Sequence, residues 1–165
     1  MKVTEKPDTS YLDWPFFDDK HRVLAESVEL WAAAHVAQVI EMSEGLDDSC
    51  VNLVRELGDA GICRQAVAED DSPFDVRSLC VIRETLARFS GLADFAFAMQ
   101  GLGSGPISLF GTTAQKKRFL PGVASGWGAI VSILSVMDKP GLPAGTIKAD
   151  SPLVPNSSLV RANTT

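Results

Sequence analysis

Gly101, Gly103 and Gly105, spaced by two in the middle of the chain, are the residues most open to a chemical reading, because closely spaced glycines can bring backbone N–H groups against the phosphates of a dinucleotide. That chemistry needs a strand before the glycines, a helix after them and an acid about twenty residues further on. Here an apolar helical segment precedes them, the third glycine falls at the wrong spacing, and Pro106 removes an N–H. Close packing of the backbone against another helix, or against an apolar chain, accounts for these glycines better.

The other reactive residue types are scattered. Cys50, Cys63 and Cys80 are odd in number, far apart and set among apolar neighbours, which fits buried thiols in a reducing compartment rather than a disulfide framework or a metal site. His35 lies one turn after Trp31 on an apolar helical stripe, with no second His, Cys or carboxylate spaced to join it, so a hydrogen-bonded core or boundary role is expected. Glu84 reads as structural. Lys116, Lys117 and Arg118 form a short basic run that solvation explains. No catalytic residue and no metal ligand is assigned.

The elements that must position these residues are helices. Leu24, Val28, Trp31, Val39 and Met42 recur at helical spacing over about Phe17 to Met42, with Asp18 and Asp19 near the positive end of the dipole. A second helix is expected over about Ser49 to Ala60, stopped by Gly61. A third carries Leu79, Ile82, Leu86 and Phe89, with Ser72 and Pro73 as one possible start. Gly91 to Gln100 is apolar nearly all round and reads as a helix buried on most sides, and the block from Gly101 onward reads as a short helix, a glycine stop and a second helix. Thr112 to Gln115 has the capping-box pattern that would start another helix, ending at Leu120 and Pro121. The predicted fold is an all-α antiparallel bundle of about five to six helices, with residues 1–15 a flexible N-terminus, 16–130 the helical domain and 131–165 a poorly ordered tail.

Composition narrows the function classes. The chain has 165 residues and a formal charge of -6, with a sequence pI near 4.8. That argues against a nucleic-acid footprint, which draws on clustered Lys and Arg. The N-terminal residues show no secretory signal, and the apolar stretch from Ala129 to Met137 is about half of what crosses a bilayer. A cytoplasmic protein with no membrane partner is expected.

Several motifs together resemble one family. Gly101 to Pro121 contains a G-x-x-x-Q-K-x-x-[FYW]-L-P run in Gly111-Thr112-Thr113-Ala114-Gln115-Lys116-Lys117-Arg118-Phe119-Leu120-Pro121; Leu57-Gly58-Asp59-Ala60-Gly61-Ile62 matches L-x-x-x-G-x-x-G in part; and Glu84-Thr85-Leu86-Ala87-Arg88 fits E-x-[LI]-[AG]-[RK]. The stretch from about Phe16 to Ile130 resembles the N-terminal helical domain of acyl-CoA dehydrogenases. The resemblance implies that the helix from Gly91 and the glycine run after it line the cavity for the fatty acyl chain, which places Phe95, Ala98 and Leu102 in the substrate pocket. It also implies FAD as cofactor and an acyl-CoA thioester as substrate. In complete members the flavin accepts a hydride from the β-carbon while a glutamate of the C-terminal domain takes the α-proton.

Beyond Ile130 the family pattern breaks. Leu134-Ser135 can be laid on the family's L-S, making Ser135 the one flavin-contact candidate, but Val136-Met137 stands where E-P is usual and the G-S-D that follows is absent. Residues 138–165 lack aromatic residues and regular periodicity. A shift of reading frame near residues 126–131 would produce such a change, and the hypothesis fails if neither other frame of the gene restores E-P-x-x-G-S-D. Two functions follow from the resemblance: a dehydrogenase helical domain that is inactive alone, or an all-α interaction module that self-associates or docks on a full-length relative.

Overall fold

The computed structural model describes residues 7–68 and 74–127. They form five α-helices, with no strand among the described residues: α1 (Asp19–Met42), α2 (Leu46–Asp59), α3 (Val76–Phe89), α4 (Gly91–Phe110) and α5 (Thr113–Ala124). Two short 3-10 turns accompany them, one before α1 at Ser10–Asp13 and one between α2 and α3 at Ile62–Ala66. The all-α bundle expected from the periodicity is what the chain forms.

α1 packs on α3 and α2, and α3 on α4, around one main core. Val28, Ala32 and Val36 of α1 meet Leu53 and Leu57 of α2, Ile82 and Leu86 of α3, and Phe97 of α4. By length and composition α1 could cross a membrane, yet this row is buried against the other helices, as in the core helix of a bundle. The buried row runs Ala25, Val28, Ala32, Val36, so Leu24, Trp31 and Val39 flank it and Met42, expected on the stripe, is exposed at the helix end. Phe89, the last member of the α3 stripe, is likewise exposed.

Local signals set most helix ends. Gly61 has φ +74°, and its N–H donates to the Gly58 carbonyl at 2.8 Å, so a left-handed glycine stops α2. The start of α2 is earlier than expected, at Leu46. α3 starts at Val76 with Asp75 as its cap, accepting from the Arg77 N–H at 3.2 Å; the alternative start at Ser72-Pro73 falls outside the described residues. Ser90 breaks α3 from α4 and caps the latter, accepting from the N–H groups of Leu92 and Ala93.

The largest departure from expectation is that α4 is one helix where two segments were read: it continues without a break from Gly91 through Gly101, Gly103, Gly105 and Pro106 to Phe110, and stops at Gly111. Each helical glycine costs about 1 kcal/mol relative to alanine, and proline more, so tertiary contacts must offset local propensity. They are visible on the inner face: Ser104 donates to the Ala66 carbonyl at 2.9 Å, Ser108 accepts from the Ala68 N–H at 3.2 Å, and a Cβ at Gly101 would lie 3.8 Å from that of Ala66. The chain from Ile62 to Ala68 is thereby sewn along the second half of α4.

α5 begins with the capping box read from the sequence. The Thr112 N–H donates to the Gln115 side chain at 2.8 Å, and the Gln115 N–H donates to the Thr112 hydroxyl at 3.3 Å. It runs past Pro121 to Ala124, because Leu120, Val123 and Ala124 find a second small core against Val67 and Ile107. Its end docks backbone to backbone on α2: a Cβ on Gly58 would overlap the Ser125 carbonyl, and Gly126, at φ +72°, lies against Val54 and Gly58. At the other end of the chain, residues 10–15 were expected within a flexible terminus, yet Leu12 of the first 3-10 turn is buried with Ala25 and Val81. Tyr11 packs edge-on against Phe17 at 5.7 Å.

Candidate functional site: the outer face of helix α4

An unbroken α4 has two opposite faces. Ala93, Ala96, Phe97, Gln100, Ser104 and Ser108 point inward and are buried. Phe95, Ala98, Leu102, Gly105 and Leu109 follow at steps of three and four, which on a 3.6-residue helix gives a single row. That row faces away from the core: Phe95 is 46% exposed, and Leu102 and Leu109 are each 57% exposed. Ala98 and Gly105 between them are half-buried, and a Cβ on Gly105 would meet nothing within 4 Å. The face is a line of large apolar side chains separated by notches.

The three residues placed in the substrate pocket, Phe95, Ala98 and Leu102, are therefore brought together on one surface. Leu109 and Phe110, also exposed, extend it; sequence reasoning missed them because it read the segment from Gly101 as a helix separate from the one carrying Phe95 and Ala98. No acidic residue occurs between Asp94 and Asp138, and no charge of either sign between Asp94 and Lys116. Asp94 itself is closed off by Arg83, which donates through two nitrogens at 2.7 and 2.8 Å. The outer face thus has neither a carboxylate nor an imidazole with which to move a proton, and its chemistry is apolar contact.

The remaining candidates are structural. His35 stacks on Trp31 with ring centroids 5.4 Å apart, and its Nδ1 lies 2.8 Å from the Trp31 carbonyl. Glu84 accepts from the Tyr11 hydroxyl at 2.8 Å and pairs with Arg88 at 3.3 Å. Burial, and after it the bond to Glu84, push the Tyr11 hydroxyl above its ordinary range. The three cysteines are free, but only Cys63 is buried as expected, Cys50 being half-buried and Cys80 exposed on α3; burial pushes the Cys63 thiol up to about 12, which makes it a poor nucleophile. The Arg118 guanidinium sits over the Phe119 ring at 5.1 Å.

One polar junction was not read from the sequence. His21 is fully buried and joins the starts of α1 and α3. Its Nδ1 accepts from the Asp18 N–H at 2.9 Å, so Nε2 carries the proton and donates to Asp75 Oδ2 at 3.1 Å. Lys20 pairs with the same carboxylate at 2.6 Å. Burial alone would raise the Asp75 carboxyl, but Lys20, His21 and Arg77 together hold it well below the usual carboxylate range. The local signal was Asp18-x-x-His21 at a helix start; its partner lies 54 residues away.

The N–H groups of Gly101, Gly103 and Gly105 lie inside α4 and are spent in its own hydrogen bonding, so they cannot cradle a pyrophosphate. Ser135, the flavin candidate, lies outside the described residues.

Comparison with known proteins agrees with this architecture. The family model of the acyl-CoA dehydrogenase N-terminal domain matches residues 18–127. A probable acyl-CoA dehydrogenase of Bacillus subtilis (strain 168) is 32% identical over 113 residues, which cover 67% of this chain and 19% of that relative. The chain therefore spans about a fifth of the length of the curated relative it matches. With its five helices in place and residues 18–127 matched, this chain belongs to the acyl-CoA dehydrogenase family, of which it carries the N-terminal domain.

Proposed function

We propose that this chain contributes the helical wall of an acyl-CoA dehydrogenase-type site and is inactive by itself. The outer row of α4 supports this reading: Phe95, Ala98, Leu102 and Leu109 form an uncharged apolar surface of the kind that holds an acyl chain. Oxidation of the α,β C–C bond of a thioester also needs a base within hydrogen-bond reach of the α-carbon and FAD as hydride acceptor. The outer face of α4 supplies neither, so the wall orients and desolvates the apolar part of the substrate while other segments supply the chemistry.

The test is to purify the 165-residue chain, add FAD, remove the excess and titrate with a panel of acyl-CoAs of different length. Colourless protein with no bleaching is the expected result. Retained flavin that acyl-CoA bleaches would overturn the reading and make this chain an enzyme in its own right.

A further inference from the structure

We propose that α5 is a strap that opens as a unit from a bundle that stays folded without it, with Gly111 and Thr112 as the hinge and the crossing of Gly58 and Gly126 as the latch. The inference does not involve the proposed acyl wall, since α5 packs on Ile107, which lies off the Phe95–Leu109 row.

The apolar interior is divided. Among the described residues, every member of the main core comes from α1 to α4 and the Ile62–Ala66 turn. Leu120, Val123 and Ala124 of α5 are buried elsewhere, in a small cluster with Val67 and, at its edge, Ile107. Polar bracing is divided in the same way. Arg88 ties α3 to Glu29 of α1, Arg83 ties α3 to Asp94 of α4, and His21 of α1 donates to Asp75 at the start of α3. The side-chain bonds of Thr112, Gln115 and Ser125 stay inside α5 and its two caps. These bonds survive release of the helix, so opening does not orphan the N–H groups that they satisfy.

The latch is a crossing of backbones. A Cβ on Gly126 would lie 3.0 Å from Gly58 Cα and 3.2 Å from Arg55 Cα, and one on Gly58 would overlap the Ser125 carbonyl. Contact this close is either made or lost, because packed surfaces switch between discrete arrangements instead of stretching. Arg55 closes over the outside, its guanidinium 5.2 Å from the centroid of the exposed Trp127 ring. Opening breaks this stack and uncovers Val67, Ile107 and the edge of α2 from Val54 to Gly58. A helix of 12 residues released from its packing is marginal in water, so the open strap exchanges its amide protons.

The experiment is native-state amide exchange on the full chain in low concentrations of urea, with I82V and V123A as variants. Residues 116–120 and 122–124 should be protected, but about tenfold or more less than Val81 to Leu86 of α3. Ile82 belongs to the main core, which stays formed when the strap opens. I82V should therefore lower protection in α3 by about two- to tenfold and leave that of α5 unchanged. Val123 is buried only while the strap is closed, so V123A should lower protection in α5 by about fivefold or more. Protection in α5 that equals that of α3, or that falls with I82V, means that α5 opens only when the whole chain unfolds, and overturns the proposal. Exchange of α5 at the rate of an unfolded chain means that the strap is never latched, and overturns it equally, as does protection in α5 that V123A leaves unchanged. Flavin retention enters none of these readings, so this proposal and the acyl wall fail separately.

Discussion

The inner and outer faces of α4 use the same residue types to opposite ends. On the inner face Phe97 is 1% exposed among core residues, and Ser104 and Ser108 hold the chain at 66–68 through hydrogen bonds. On the outer face Phe95, two residues earlier, is 46% exposed. The inner face accounts for the helix surviving four glycines counting Gly91 and a proline; the outer face gains nothing from the fold and is left open. Stability and function are therefore separable on one helix, and substitutions on the two faces should have different consequences.

The sharpest contrast is the phenylalanine pair. F97A removes a fully buried ring and should cost about 3–5 kcal/mol, whereas F95A should stay within about 1 kcal/mol; urea unfolding at concentrations where the chain is monomeric measures both. Similar losses at the two positions would abolish the distinction between faces. Next in size is G58A, which places a Cβ into the Ser125 backbone and must push α5 off α2. Overpacking of this kind costs about 1–3 kcal/mol, readable as a lowered thermal midpoint, and an unchanged midpoint would mean that α5 is not docked there.

A smaller effect is expected at the junction far from α4. Asp75 titrates lower in the folded chain than the ordinary carboxylate value of about 3.9. Below that unfolded value the unfolded chain binds the proton that the folded chain refuses, so the stability Asp75 contributes is present at neutral pH and lost as pH falls through about 4 and lower. Denaturant midpoints measured from pH 7 to pH 3 should fall for the native chain, and D75N should start lower and fall less steeply. Smallest of all is L102S on the outer face. Its thermal midpoint should shift by no more than about 0.5 kcal/mol equivalent, while binding of an apolar dye drops, because the exposed row is what the dye would contact.

Signals confined to a few neighbouring residues were legible in the sequence. Gly61 as a helix stop, the Thr112–Gln115 box, the Ile82–Leu86 stripe and a hydrogen-bonded boundary role for His35 all follow from residue types and spacings within about one turn. What could not be read depends on contacts between distant segments. Ser104 and Ser108 reach Ala66 and Ala68 across 38 and 40 residues, and without those bonds the glycines argue for a break between two short helices rather than one continuous one. The same holds for Asp75, whose capping role is tied to His21 and Lys20 on another helix. The substrate-face residues came from family resemblance; their alignment on one row depended on the helix continuing.

Amide hydrogen exchange along α4 tests that continuity most directly. If the helix is whole, Gly101 to Phe110, Pro106 aside, should be protected to a degree comparable with Ala96 to Gln100, with fraying confined to the last turn. Exchange that becomes fast at Gly101 and stays fast would mean the helix ends where its glycines begin; Leu102 and Leu109 would then no longer be held in line with Phe95, and the outer face would not exist as a surface.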